Sequence, residues 1–87
     1  MADWTKYVEE NLDFAFDFTA RLSDGETVTS YTVAAPDGLT KGADSETGGV
    51  VTVWLDGGVG GAYYLIECVI VTSAGREMAE KVTLYVR

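Results

Sequence analysis

The sequence predicts an all-β protein, a small sandwich of about seven antiparallel strands. Three observations predict it. Apolar and polar residues alternate over LDFAFDFTARL, residues 12 to 22. Turn signals rich in Gly, Asp, Ser and Pro recur at roughly 8 to 15 residue intervals, as short strands require. No stretch of useful length carries a helical period. An open or closed small barrel is the competing architecture.

Residues 1 to 11 are polar with a few large side chains, Trp4, Tyr7 and Val8. They are expected to form an N-terminal arm or lead-in, with Asp3 placed to cap a single helical turn. Residues 12 to 87 are expected to form the domain. In the first strand, Leu12, Phe14, Phe16, Phe18 and Ala20 share one face, and Asp13, Ala15, Asp17, Thr19 and Arg21 share the other. Ser23-Asp24-Gly25 marks a turn. ETVTSYTVAA is rich in β-branched residues and reads as the second strand. Ala35-Pro36-Asp37-Gly38 breaks it.

Residues 39 to 49 read as a loop-rich, solvent-facing segment with at most one short strand. VVTVWL, residues 50 to 55, is the next strand and ends at Asp56-Gly57-Gly58. The glycines of DGGVGG reach backbone conformations that other residues resist, and a wide turn accounts for them. Residues 62 to 73 form the long central strand. Ser73-Ala74-Gly75-Arg76 is a hairpin connection. EKVTLYVR closes the chain, with Val82, Leu84 and Val86 inward.

Composition narrows the function classes. The 87 residues suit one domain with a modest core. A hydrophobic content of 47% is too high for a disordered chain. The longest apolar runs are about half of a bilayer crossing, and the N-terminus lacks a signal-peptide core, so no membrane partner is expected and synthesis is expected in the cytoplasm. Cys68 is the only cysteine, so an internal disulfide is excluded. There is no histidine, the commonest general base and metal ligand. Six basic against fourteen acidic residues give a net charge of −8. That charge repels phosphate backbones, so nucleic acid is not an expected partner, and it attracts basic surfaces.

No arrangement of residues points to catalysis, a cofactor or a metal. Asp13 and Asp17 share a strand face, but four residues span about 13 Å, beyond glycosidase carboxylate spacing. They read as solvated charges that discourage edge pairing. Asp37, Asp44, Glu46 and Asp56 match no calcium-loop spacing. DGGVGG lacks the Lys-Ser or Lys-Thr and the helix of a phosphate loop. Cys68 is in phase with Tyr64, Ile66 and Ile70 and reads as a small core hydrophobe.

The other phase of the central strand is more informative. Tyr63, Leu65, Val69 and Val71 face away from the core around Glu67. In strict alternation Val51, Val53 and Leu55 point inward and Thr52 and Trp54 outward. An outward Trp with outward aliphatics reads as an apolar patch, the usual mark of an interface. Either a neighbouring protein covers it, or Trp4 and Tyr7 fold over it.

The chain resembles a known family in order, spacing and wording. The pieces are LDFAFDFTARL (12 to 22), ETVTSYTV (26 to 33), GLT (38 to 40), VVTVWLDGG (50 to 58), AYYLIECVIVTSAGR (62 to 76) and VTLYVR (82 to 87). Together they are similar to the phage fiber-tail adaptor proteins, small tailed-phage structural proteins. The most specific pieces are Leu12-Asp13-Phe14 with Phe16-Asp17-Phe18, Thr52-Val53-Trp54-Leu55 with Gly57-Gly58, and Ala74-Gly75-Arg76. Two departures stand out. Leu65, Val69 and Val71 occupy a phase that is typically threonine-rich in the family, and Arg21 stands where an aromatic is expected.

The resemblance implies an immunoglobulin-like β-sandwich and a non-enzymatic virion protein, assembled in the host cytoplasm. It implies an adaptor that joins tail and fiber components, with other virion proteins as partners and multiple copies in a symmetric assembly. A capsid decoration or cement protein is compatible with the same fold. A different class is a carbohydrate-binding module, in which Trp54, Tyr31, Tyr63 and Tyr85 would stack on sugar rings. It requires two or three of these aromatics coplanar on one face.

Overall fold

Successive side chains of a strand point to opposite faces, so alternating apolar residues build one dry face per strand. The computed structural model describes residues 3–87. Its strands are β1 (Trp4–Lys6), β2 (Leu12–Asp17), β3 (Val28–Ala34), β4 (Leu39–Thr47), β5 (Val50–Gly57), β6 (Tyr63–Thr72) and β7 (Glu77–Val86), with a 3-10 turn at Thr19–Arg21. One sheet has the order β1-β7-β6-β3, the other β2-β5-β4. The second, fifth and fourth strands face the third, sixth and seventh, which is the immunoglobulin-like sandwich arrangement.

The core lies between the sheets. Val51, Val53 and Leu55 of β5 face Ile66, Cys68 and Ile70 of β6, all fully excluded from water. Phe16 and Phe18 close the layer from β2 and its exit, and Leu84 and Val86 from β7. The strand phases expected for β5 and β6 hold, and that of β2 holds as far as Phe18; Ala20, expected inward, is exposed because the chain enters the 3-10 turn there.

Three elements differ from expectation. First, β1 runs parallel to β7, with Trp4 opposite Leu84 and Lys6 opposite Val86. The two strands come from opposite ends of the chain, so no hairpin constrains their direction. Residues 4 to 6 of the expected lead-in are thus an edge strand of the larger sheet. Residues 1 and 2 lie outside the described residues. Asp3 caps no helical turn: its N–H donates to Thr83 O at 2.8 Å, and its carboxylate accepts from Thr83 N–H at 3.1 Å.

Second, the segment expected as loop-rich is the nine-residue strand β4, hairpinned to β5 through Gly48-Gly49. Both glycines have positive φ, +58° and +93°, the backbone of a two-residue hairpin turn. Third, β7 begins at Glu77, three residues before the Glu80 that opens EKVTLYVR.

β4 is an edge strand with charged inward positions. Lys41 forms an ion pair with Asp44, and Tyr31 Oη of β3 donates to Asp44 Oδ1 at 2.8 Å across the open side of the sandwich. The Lys41 ammonium, and then the Tyr31 hydroxyl, lower the Asp44 pKa, while the same bond raises that of Tyr31. Inward charge of this kind keeps an edge from recruiting another strand.

Lys6 is the one charged side chain in the core among the described residues, 1% exposed. Its ammonium donates to Tyr7 O at 2.9 Å, Val8 O at 3.4 Å and Glu10 O at 2.9 Å. It thereby ties the crossover between the sheets to β1. Lys6→Met should leave Val8 O and Glu10 O unpaired and cost about 2 kcal/mol, lowering Tm by roughly 8 to 16 °C. A thermal melt checks this.

At one end of the sandwich Glu26 is a second tie. Its carboxylate accepts from Arg76 Nε at 3.0 Å, from Ser23 N–H at 2.8 Å and from the Thr72 hydroxyl. Arg76 also donates to Arg21 O at 2.9 Å. The Arg76 bond foremost, then Ser23 and Thr72, hold the Glu26 pKa at about 2, below its ordinary 4.5. A depressed carboxylate pKa adds stability above the unfolded value, and that stability is lost as pH falls through the folded value. Between pH 4.5 and 2 the wild type should therefore lose stability more steeply than Glu26→Gln. Denaturant midpoints measured across that window check it.

Candidate interaction surfaces

The two outer faces of the sandwich differ in chemistry. On the four-stranded sheet β6 runs through the middle with an apolar outer stripe. Tyr63 is 63% exposed, Leu65 55% and Val71 37%. Val69 is half-buried between Ala79 of β7 and Thr32 of β3. Tyr63 packs on Tyr85 with ring centroids 4.7 Å apart. Glu67 interrupts the stripe and pairs with Lys81 at 3.3 Å.

Trp4 and Tyr7 do not cover this stripe. Trp4 is in register with Leu84, an inward position, so its ring enters the edge of the core. There it stacks on Phe14 at 4.7 Å and meets Phe16 edge-on at 5.0 Å. Tyr7 stays half exposed, with the Arg87 guanidinium 5.9 Å above its ring.

Trp54 does not join the stripe either. It points outward as expected, 41% exposed, but from β5 in the three-stranded sheet. The expected single patch is therefore two surfaces on opposite sides of the molecule. Period-two alternation says which residues leave the core; it does not say which sheet a strand joins. Asp13 stands directly across from Trp54 on β2. Gly42 lies in the β4 bulge, where an added Cβ would come within 3.3 Å of Trp54 Cβ. Asp56, two residues along β5, is exposed on the same face.

The other candidate residues have structural partners. Asp17 accepts from Thr19 Oγ1 at 2.6 Å and Thr19 N–H at 2.9 Å, which lower its pKa and close the 3-10 turn. Glu46 accepts from Gly49 N–H at 2.8 Å. A shallow cleft between Glu26, Val28, Glu46 and Gly49 is lined by carboxylates already bonded in this way. Arg21 donates to Ala79 O at 3.1 Å and pairs with Glu80 at 2.9 Å. Gly58, with φ +94°, lets the chain pass Val86, where a Cβ would come within 2.9 Å.

The aromatics proposed to stack on sugars are scattered. Tyr31 bridges to Asp44, Trp54 lies on the opposite face, and Tyr63 and Tyr85 are tilted by 32°. Cys68 is fully buried, and burial, then the Asp44 and Glu80 charges, push its thiol up to about 11. It should react with a thiol reagent at neutral pH only on unfolding, so labelling should track the denaturant transition.

No curated protein matches the chain. A family model described as Podophage GP4 fiber-tail adaptor protein gp77 matches residues 6–85. The match spans both sheets, from the last residue of β1 into β7. The chain therefore belongs to the podophage GP4 fiber-tail adaptor family and is a structural protein of a tailed phage, whose partners are other virion proteins.

Proposed function

We propose that the domain is a non-enzymatic adaptor that joins tail and fiber components through direct protein contacts, in multiple copies per particle. One observation carries this reading. The β6 stripe of Tyr63, Leu65 and Val71 stays exposed, and no other segment of the described chain lies across it. Apolar surface of this kind on a rigid sheet marks an interface. Repetition around the tail would give strong attachment from a modest contact area per copy. The family match favours the tail over the capsid decoration reading.

Leu65→Asp tests the stripe. Leu65 is more than half exposed, so the variant should fold with an unchanged circular dichroism spectrum. A buried charge at an interface centre costs several kcal/mol, so its recovery in purified particles should fall at least tenfold. A folded Leu65→Asp protein recovered at the wild-type level would remove this face from the assembly. Light scattering of the free protein over a concentration series then separates a contact between copies from a contact with another virion protein.

A further inference from the structure

An adaptor needs a second surface, and the outer face of the three-stranded sheet has the features of one. We propose that this face docks an arginine-bearing segment of a partner virion protein, with a guanidinium stacked on Trp54 between Asp13 and Asp56. The proposal rests on the adaptor reading and names the chemistry of one partner.

Trp54 is the large exposed side chain of this face. Its cross-strand partner is Asp13, and directly opposed residues place their Cβ atoms about 5 Å apart. Asp56 stands two residues along β5 on the same face, about 7 Å away. On the β4 side Gly42 presents no side chain beside the Trp54 Cβ, and Trp54 is 41% exposed. Trp54 thus has one acidic neighbour across the strand pair and another along its own strand. A guanidinium is planar, stacks on indole, and can reach carboxylates at its edge at the same time.

The basic residues of the chain are taken. Lys6 is buried against carbonyls, and Arg87 lies over Tyr7. Arg21, Lys41, Arg76 and Lys81 pair with Glu80, Asp44, Glu26 and Glu67. Asp13 and Asp56 have no ion-pair partner among the described residues; Asp56 accepts only from the adjacent Gly57 N–H. Among the described residues no basic side chain pairs with an acid of this face, which leaves Asp13 and Asp56 available to a basic partner. The net charge of −8 also draws such a partner inward before contact.

The β6 face lacks this arrangement. Its single central acid, Glu67, is already paired with Lys81. The two faces are therefore suited to different partners.

The test is an amide and indole NMR titration of the whole chain with an acetylated tri-arginine peptide. Shifts are expected to concentrate on the Trp54 indole N–H and on the outward residues of β2, β4 and β5. Trp54→Ala should weaken binding about fivefold, in line with a surface cation–π contact. Asp13→Asn with Asp56→Asn should weaken it further and flatten its salt dependence, whereas Leu65→Asp should leave it unchanged. Shifts spread evenly over Glu9, Asp24, Asp37 and Glu77, or an unchanged affinity in Trp54→Ala, would overturn the proposal. So would an indole that shifts with cellotriose and not with the peptide, which would make the face a sugar platform. Particle recovery keeps the two readings apart. Trp54→Ala recovered like wild type sinks this inference alone, while absence of the wild-type chain from purified particles sinks the adaptor reading.

Discussion

The structure depends on the core layer to which β5 and β6 contribute the fully buried residues. Val51, Val53 and Leu55 share that core with Ile66, Cys68 and Ile70, and none of the six touches water. Because side chains alternate with a period of two, a slip of one residue in either strand would turn this whole set outward. The other strands are placed by reference to this pair. β2 and β4 flank β5, and β7 and β3 flank β6. In a domain of this size the central layer supplies much of the apolar burial, so its register is strongly specified.

The ends and open sides are held by polar ties instead. Lys6 gathers the carbonyls of the crossover after β1. Glu26 binds the start of β3 to the hairpin between β6 and β7 through Arg76 and Thr72. Tyr31 and Asp44 join the two edge strands where no further strand continues. The Glu26 and Tyr31 ties link segments distant in sequence, the Lys6 tie is local, and all three use hydrogen bonds to charged groups, which are worth more than neutral ones. With the core in the middle and these ties at the margins, the sandwich holds its two outer faces in place, as the proposed adaptor role requires.

Those faces are opposite in character. One carries an aliphatic and tyrosine stripe with its single acid neutralised by Lys81. The other carries a lone tryptophan between unpaired carboxylates. Apolar burial rewards close shape fit, while charge and cation–π contacts favour orientation and discriminate against wrong partners. A single small domain can thus present two different docking chemistries back to back.

The sequence by itself determined the class of fold and the phase of the long strands. The run from Leu12 to Phe18, the alternation over Val50 to Leu55 and the apolar run from Ala62 to Thr72 were legible because burial imposes period two on them. The strand β4 was obscured because its inward positions, Lys41, Asp44 and Glu46, are charged and a bulge between Lys41 and Asp44 breaks the alternation; its one local signal is Gly48-Gly49. β1 was obscured because three residues are too few to show a period, and their partner is at the far end of the chain. The outward direction of Trp54 was also legible, and so was that of Tyr63, Leu65, Val69 and Val71. Only the tertiary structure decided that Trp54 lies on the far side from the others, and that Trp4 belongs to the core edge. Side-chain direction is a local property of the backbone, whereas the sheet a strand joins depends on long-range pairing.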